Sequence, residues 1–87
     1  MAKQSYAVTI AGGGSTYTPG VVLTLLAKRD VFPINRITLY DNDAERQGTI
    51  AKACAIYIRE NAPEVTFSYT TDPVEAFTGI DFVLAQI

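Results

Sequence analysis

The sequence predicts an α/β fold with a parallel sheet, and three features of the chain support that prediction. Short apolar runs rich in β-branched residues alternate with longer segments of helical periodicity. A run of three glycines separates the first of these strands from the first helix, and Asp41 directly follows the second strand. The order strand, helix, strand, helix, strand, short helix, strand is typical of parallel strands joined by right-handed crossovers.

The first half of the chain contains two strands and the helix between them. The first strand is Tyr6–Ala11, a short apolar run bounded by glycine, as is typical of a buried parallel strand. Thr18 is predicted to cap the following helix, because Pro19 then occupies the first helical position, where a missing N–H costs nothing. This helix is predicted to continue through Ala27 and to carry Lys28 and Arg29 in its last turn, and the second strand covers residues 36–40.

The second half of the chain adds two helices and two strands. Asp43 is predicted to cap a long helix whose apolar face carries Cys54 as a buried thiol and Tyr57 as a core residue. The predicted elements are a helix over 44–61, a strand over 65–69, a short helix opened by Asp72 and closed by Gly79, and a strand over 81–87. In a doubly wound sheet these strands lie in the spatial order third, second, first, fourth.

Composition excludes several classes of protein. The 87 residues carry a formal net charge of −2, so no basic surface is expected that would hold a nucleic acid or an anionic membrane. The chain has no His and one Cys, which excludes an internal disulfide and a metal site made of His or of several Cys. The N-terminal apolar run is too short for a signal peptide or a bilayer span, and we expect a reducing, cytoplasmic location.

The glycine run is the strongest candidate for a binding site. Gly12 and Gly14 match the first two positions of the dinucleotide fingerprint G-x-G-x-x-G, but Tyr17 occupies the third. Such a loop brings backbone and a helix N-terminus close to a pyrophosphate, and the hydroxyls of Ser15 and Thr16 add possible donors. The alternative is a turn that merely reverses the chain. A nucleotide P-loop is disfavoured, because no Lys follows Gly20.

Asp41 is the second candidate. In a Rossmann-like dinucleotide-binding domain, a carboxylate at the end of the second strand accepts hydrogen bonds from the adenosine ribose and repels a 2′-phosphate. NAD is therefore favoured over NADP. The alternative is a polar turn, 41–43, in which Asp43 caps the helix. Arg46 leaves three possibilities open: a partner for a 2′-phosphate, a solvated helix residue, or a lid over the adenine.

Four segments of the chain resemble glycoside hydrolase family four, the NAD- and divalent-metal-dependent glycosidases. They are VTIAGGGSTYTPG at 8–20, LYDNDAER at 39–46, and the stretches 67–72 and 76–83, which together cover nearly the whole chain. The family departs from the strict glycine fingerprint at the same position. The cofactor-binding residues that this resemblance implies are Gly12, Gly13, Gly14, Ser15, Thr16, Asp41, Asn42 and Arg46.

The resemblance also implies what the parent protein does. Residues 1–87 would be the N-terminal part of an NAD-binding domain, with the remainder of that domain and the substrate domain outside this chain. The enzyme would hydrolyse 6-phosphorylated α-glucosides: NAD takes hydride from C3 of the sugar, a base removes the C2 proton, the glycosidic group is eliminated, water adds, and the hydride returns. A divalent metal, typically manganese, would polarise the sugar oxygens. Catalytic residues and metal ligands would lie beyond this chain, and a homo-oligomer is expected.

Two other interpretations remain open from the sequence alone. A dehydrogenase of the lactate or malate type shares the architecture and the hydride chemistry, although it would require a third glycine at position 17. A dinucleotide-binding or oligomerisation module without catalysis is the other possibility. A continuation of the gene beyond Ile87 that supplies a Cys and a His would favour the glycosidase, whereas a stop codon would favour the module.

Overall fold

A computed structural model describes residues 5–85, which form a single four-stranded sheet with three helices packed on it. The elements are β1 (Tyr6–Ala11), α1 (Thr18–Ala27), β2 (Ile34–Tyr40), α2 (Ala44–Asn61), β3 (Thr66–Thr70), α3 (Pro73–Phe77) and β4 (Phe82–Ala85). The predicted alternation of strands and helices is confirmed. β2 begins two residues earlier than predicted, β3 is displaced by one residue and β4 begins one residue later. The prediction that Lys28 and Arg29 lie in the last turn of α1 is wrong, because this helix ends at Ala27. Residues 86–87 of the predicted last strand lie outside the described residues.

All the strands are parallel, and they lie in the predicted order β3-β2-β1-β4. β1 and β2 are the two interior strands, and Ala11 at the end of β1 pairs with Tyr40 at the end of β2. The glycine run and the polar turn after β2 therefore leave the sheet side by side, at the carboxyl edge where ligands of open α/β sheets bind.

The two faces of the sheet carry different helices. Alternate residues of a strand point to opposite faces, and Val8 and Ile10 of β1 belong to the core cluster that α1 and α2 cover. Thr9, between them, donates its hydroxyl to the carbonyl of Ala76 in α3 at 2.6 Å. The short helix α3 therefore covers the opposite face, and this buried hydrogen bond fixes it to the central strand.

Local capping chemistry explains where two of the helices begin. Asp43 accepts a hydrogen bond from the backbone N–H of Arg46 at 3.0 Å, and Asp72 accepts one from Val74 at 2.9 Å, as predicted. The prediction that Thr18 caps α1 is wrong. Its N–H bonds to the carbonyl of Ser15 at 3.1 Å, so the turn after the glycines leads directly into the helix and Thr18 becomes its first, buried residue.

The core lies between the sheet and the pair α1 and α2. Cys54 and Ile58 of α2 are 2% exposed, which confirms the buried thiol. The prediction that Tyr57 is a core residue is wrong, because its side chain is 38% exposed. The buried positions of α2 are Gln47, Ala51, Cys54 and Ile58, and Tyr57 lies beside this stripe, at the edge of a groove between α1 and α2.

One side of the molecule is largely apolar and uncovered in residues 5–85. Phe82, Val83 and Leu84 of the edge strand β4 are 45%, 48% and 36% exposed. Leu84 also lines an apolar cleft with Val21 and Leu25 of α1. None of the helices within residues 5–85 combines the length and the apolar character that crossing a membrane demands.

Candidate functional site

The glycine loop and the turn after β2 are joined through one carbonyl group. The N–H groups of Gly12 and Gly13 both donate to the carbonyl oxygen of Tyr40, the last residue of β2, at 2.8 Å each. Gly12 has a φ of +86°, a conformation that residues with a Cβ rarely adopt. The carbonyl of Gly12 accepts the N–H of Ser15 at 3.0 Å. These contacts form a tight turn that connects the end of β1 to the beginning of α1.

Asp41 is the residue around which this site is organised. Its Oδ2 accepts the backbone N–H of Gly14 at 2.9 Å, and its Oδ1 accepts the backbone N–H of Asp43 at 3.0 Å. The carboxylate thus connects the glycine loop to the turn after β2 across 27 residues of sequence. An ionised carboxylate offers about four lone-pair sites, so two acceptor positions remain for hydroxyl groups of a ligand.

Gly13 and Gly14 pack so closely on neighbouring residues that an added Cβ would lie less than 3.0 Å from them. A Cβ on Gly13 would lie 2.5 Å from Oε1 of Gln47 and 2.7 Å from Cβ of Leu39. A Cβ on Gly14 would lie 2.8 Å from Oδ2 of Asp41 and 3.2 Å from Cγ of Arg46. At Gly13 the Cβ of Leu39 cannot swing away, so this separation requires glycine, whereas at Gly14 the carboxylate of Asp41 would have to shift. This close approach is what a backbone cradle for phosphate requires.

The remaining predicted residues lie around this loop in different ways. Ser15 accepts the N–H of Tyr17 with its Oγ at 3.1 Å, which leaves its hydroxyl proton to donate. Thr16 and Asn42 are exposed at the carboxyl edge. Arg46 is exposed, and its aliphatic stem lies beside Gly14. The structure therefore brings Gly14, Asp41 and Arg46 together, whereas Thr16 and Asn42 stay at the rim.

Gln47 is a residue of this site that the sequence analysis missed. Its side chain is fully buried in the first turn of α2, and its Nε2 donates to the carbonyl oxygen of Thr70 at the end of β3 at 3.1 Å. A signal was present, since Gln47 lies four residues before Ala51 and so continues the buried stripe of α2 toward the glycine loop. A polar residue on an apolar stripe indicates a specific partner.

Residues 5–85 do not offer a metal site. No group of three or more His, Cys, Asp and Glu side chains lies close enough in this part of the chain to hold an ion. The Cys54 thiol is buried, and desolvation raises its pKa, so it is protonated at neutral pH and suits neither a metal nor a nucleophilic role.

Together the parallel sheet, the tight glycine turn and the acid at the end of β2 define a Rossmann-like α/β domain. The family 4 glycosyl hydrolase model matches residues 7–87. The chain belongs to this family, and the predicted membership is confirmed.

Comparison with individual proteins agrees with that assignment. The chain is 59% identical over 87 residues to a maltose-6′-phosphate glucosidase of Bacillus subtilis (strain 168), covering 100% of this chain and 19% of that protein. It is 60% identical over 84 residues to a 6-phospho-alpha-glucosidase of Leptotrichia buccalis, covering 97% of this chain and 19% of that protein. A crystal structure of a 6-phospho-alpha-glucosidase from gut microorganisms, in complex with NAD and Mn²⁺, superimposes with a TM-score of 0.93 at 45% identity, over 97% of this chain and 19% of that one. The chain thus spans about one fifth of the length of its relatives.

Proposed function

We propose that the complete protein is an NAD- and manganese-dependent 6-phospho-α-glucosidase and that residues 1–87 are the N-terminal part of its NAD-binding domain. The observation that carries this proposal is the contact between Gly14 and Asp41, which joins the glycine loop to the acid after β2 at 2.9 Å. The 59% identity to a maltose-6′-phosphate glucosidase supports the choice of substrate.

The described residues suit the adenosine and pyrophosphate half of NAD. The tight turn at Gly12 and the close packing of Gly13 and Gly14 on the protein suit the pyrophosphate, because they hold the loop backbone at the carboxyl edge where such sheets bind dinucleotides. The hydroxyls of Ser15 and Thr16 are donors at the same edge. Asp41 would accept the ribose hydroxyls, with Asn42 and Arg46 beside it. When bound, NAD supplies a hydride acceptor and donor for the sugar, whereas the residues of this chain bind and orient it.

Charge favours NAD over NADP at this position. A 2′-phosphate would approach the carboxylate of Asp41, and like charges at short range repel. Arg46 does not remove this preference, because its stem lies beside Gly14 while its side chain as a whole is exposed and solvated. We therefore assign Arg46 to the adenosine site beside Gly14 and Asp41, and not to a 2′-phosphate.

The metal-dependent and sugar-binding part of the activity belongs to residues outside this chain. The chain contains no His, and residues 5–85 hold no cluster of metal ligands. No step of the reaction is therefore assigned to a metal bound by these residues. A homo-oligomer and a cytoplasmic location remain part of the proposal. The single cysteine, which is buried and free, supports the reducing location.

Hydrolysis of maltose 6′-phosphate by the complete protein tests the proposal. Glucose 6-phosphate release should require both NAD and Mn²⁺, because the relative with known structure binds both. Unphosphorylated maltose is the matched control, and it should not be hydrolysed. Release that continues at full rate after NAD has been removed by dialysis would contradict the proposal, as would equal hydrolysis of the unphosphorylated sugar.

A further inference from the structure

Gln47 connects three elements that meet under the glycine loop. Its side chain is 0% exposed, and Nε2 donates to the carbonyl oxygen of Thr70 at 3.1 Å. The same carbonyl lies 3.5 Å from the backbone nitrogen of Asp41, which donates to it. Gln47 and the candidate ribose-binding acid are therefore held by one acceptor at the end of β3.

The other end of the amide faces the glycine loop. Oε1 of Gln47 is buried and has no hydrogen-bond partner within residues 5–85. It lies 2.5 Å from the position that a Cβ on Gly13 would occupy, so a hydrogen of the Gly13 Cα faces it. The amide cannot be reversed, because its oxygen would then oppose the oxygen of Thr70. The orientation of Oε1 toward Gly13 thus follows from the bond to Thr70.

A buried acceptor without a donor is rare in native proteins and calls for a reason. An apolar side chain of the same length would pack at this position without an unpaired oxygen. The Cα–H···O contact with Gly13 offsets only part of the free energy that burial of the unpaired oxygen costs. An amide at this position therefore points to a role of Gln47 at Gly13 that packing alone does not require.

We propose that Gln47 is a positioning residue for NAD, acting through Gly13. It sets how closely the loop approaches the sheet and thereby holds the N–H of Gly14 against Asp41. The N–H of Gly13 donates to the carbonyl of Tyr40 at 2.8 Å, and Leu39 and Gln47 together pack against the position of its missing Cβ. This inference rests on the proposed binding of NAD, and no atom of Gln47 is required to touch the ligand.

The test compares Gln47→Met with Thr38→Val in the complete protein. Methionine keeps the length and packing of Gln47 but lacks the amide. Thr38→Val removes another largely buried polar contact, between Thr38 and Ser68 at 3.3 Å. This contact joins β2 to β3 away from the glycine loop. Gln47→Met should weaken NAD binding about tenfold, with a small change in Tm. Thr38→Val should leave the NAD dissociation constant unchanged.

A double variant tests whether Gln47 acts through Gly13. Gly13→Ala brings a Cβ against Oε1 of Gln47, so the two substitutions disturb the same contact. The variant that combines Gly13→Ala with Gln47→Met should lose less NAD affinity than the product of the two single losses, because part of the clash at Gly13 is with Gln47 and the rest with Leu39. Losses of affinity that multiply would show that Gln47 does not act through Gly13, and would overturn the proposal.

A measurement on the unmodified protein covers the case in which Gln47→Met fails to fold. With ¹⁵N-labelled glutamine, the side-chain amide resonance of Gln47 should shift on saturation with NAD, because the loop and the amide move together. An unshifted resonance overturns the role of Gln47, as does wild-type affinity in Gln47→Met. A wild-type protein that does not bind NAD overturns the proposed function together with this inference.

Discussion

The variant Gly14→Ala tests whether glycine is needed at this position for its close contact with Asp41 rather than for an unusual backbone conformation. The φ of Gly14 is not positive, since the only positive-φ glycines among residues 5–85 are Gly12 and Gly79. Alanine is therefore compatible with the backbone, and the effect of Gly14→Ala comes from its Cβ alone. That Cβ would lie 2.8 Å from Oδ2 of Asp41, where ordinary contact begins at 3.4 Å.

The geometry gives the size of the effect. The carboxylate must retreat by 3.4 − 2.8 = 0.6 Å to restore ordinary contact. A shift of this size stretches the 2.9 Å bond from Gly14 toward 3.5 Å, where it is largely lost. A hydrogen bond to a charged group contributes about 1.5–3 kcal/mol. If the displaced carboxylate loses one such bond to the ribose, NAD affinity falls roughly 10- to 100-fold.

Calorimetric titration of the complete protein with NAD measures this effect, and two other glycines provide controls. Among residues 5–85, nothing lies within 4 Å of a Cβ added to Gly20 in α1 or to Gly48 in α2. Gly20→Ala and Gly48→Ala should leave NAD affinity unchanged and raise stability by about 0.5–1 kcal/mol each, because alanine favours the helix. Unchanged NAD affinity in Gly14→Ala would refute the close-approach argument.

The remaining predictions concern Cys54, the edge strand and the chain taken alone. Burial raises the pKa of the Cys54 thiol, so the thiol stays protonated in the folded state. The free energy of unfolding therefore decreases as the pH rises above about 8.5, where the thiol ionises in the unfolded chain. Cys54→Ala should lose less stability between pH 7 and pH 10 in denaturant titrations, and equal losses would contradict this. Because β4 is an apolar edge strand, the 87-residue chain should self-associate at rising concentration, and Leu84→Lys should reduce its light scattering; a chain that stays monomeric refutes this. The 87-residue chain should not hydrolyse 6-phosphoglucosides with NAD and manganese, since it has no His; turnover above a heat-treated control would refute that.

Local signals in the sequence predict most of this fold. The bounds of β1 and α2 are as predicted, because a glycine run ends the strand and Asp43 caps the helix within three residues of sequence. The strand order follows from the alternation of elements and the handedness of crossovers. The start of α1 was missed, because the turn at Ser15 competes with the capping preference of Thr18.

The candidate site is less accessible to sequence reasoning. The glycines and Asp41 were identified by motif, but the hydrogen bond between Gly14 and Asp41 joins residues far apart in sequence. It exists because β1 and β2 are neighbours whose carboxyl ends coincide. The burial of Gln47 depends equally on the glycine loop folding over it. The helical spacing indicates that Gln47 is buried, but its partners and those of Asp41 are set by tertiary packing.

The most direct test of the central claim is calorimetric titration of NAD into the complete protein and into Asp41→Ala. The wild-type protein should bind NAD more tightly than NADP, because the Asp41 carboxylate accepts ribose hydroxyls and repels a 2′-phosphate. Asp41→Ala should lose one or two charge-assisted hydrogen bonds of about 1.5–3 kcal/mol each and bind NAD at least tenfold more weakly. Asp41→Asn, which keeps the shape of the side chain and removes its charge, should reduce the difference in affinity between NAD and NADP. An NAD affinity that is the same in wild type and Asp41→Ala would contradict the assignment of this site.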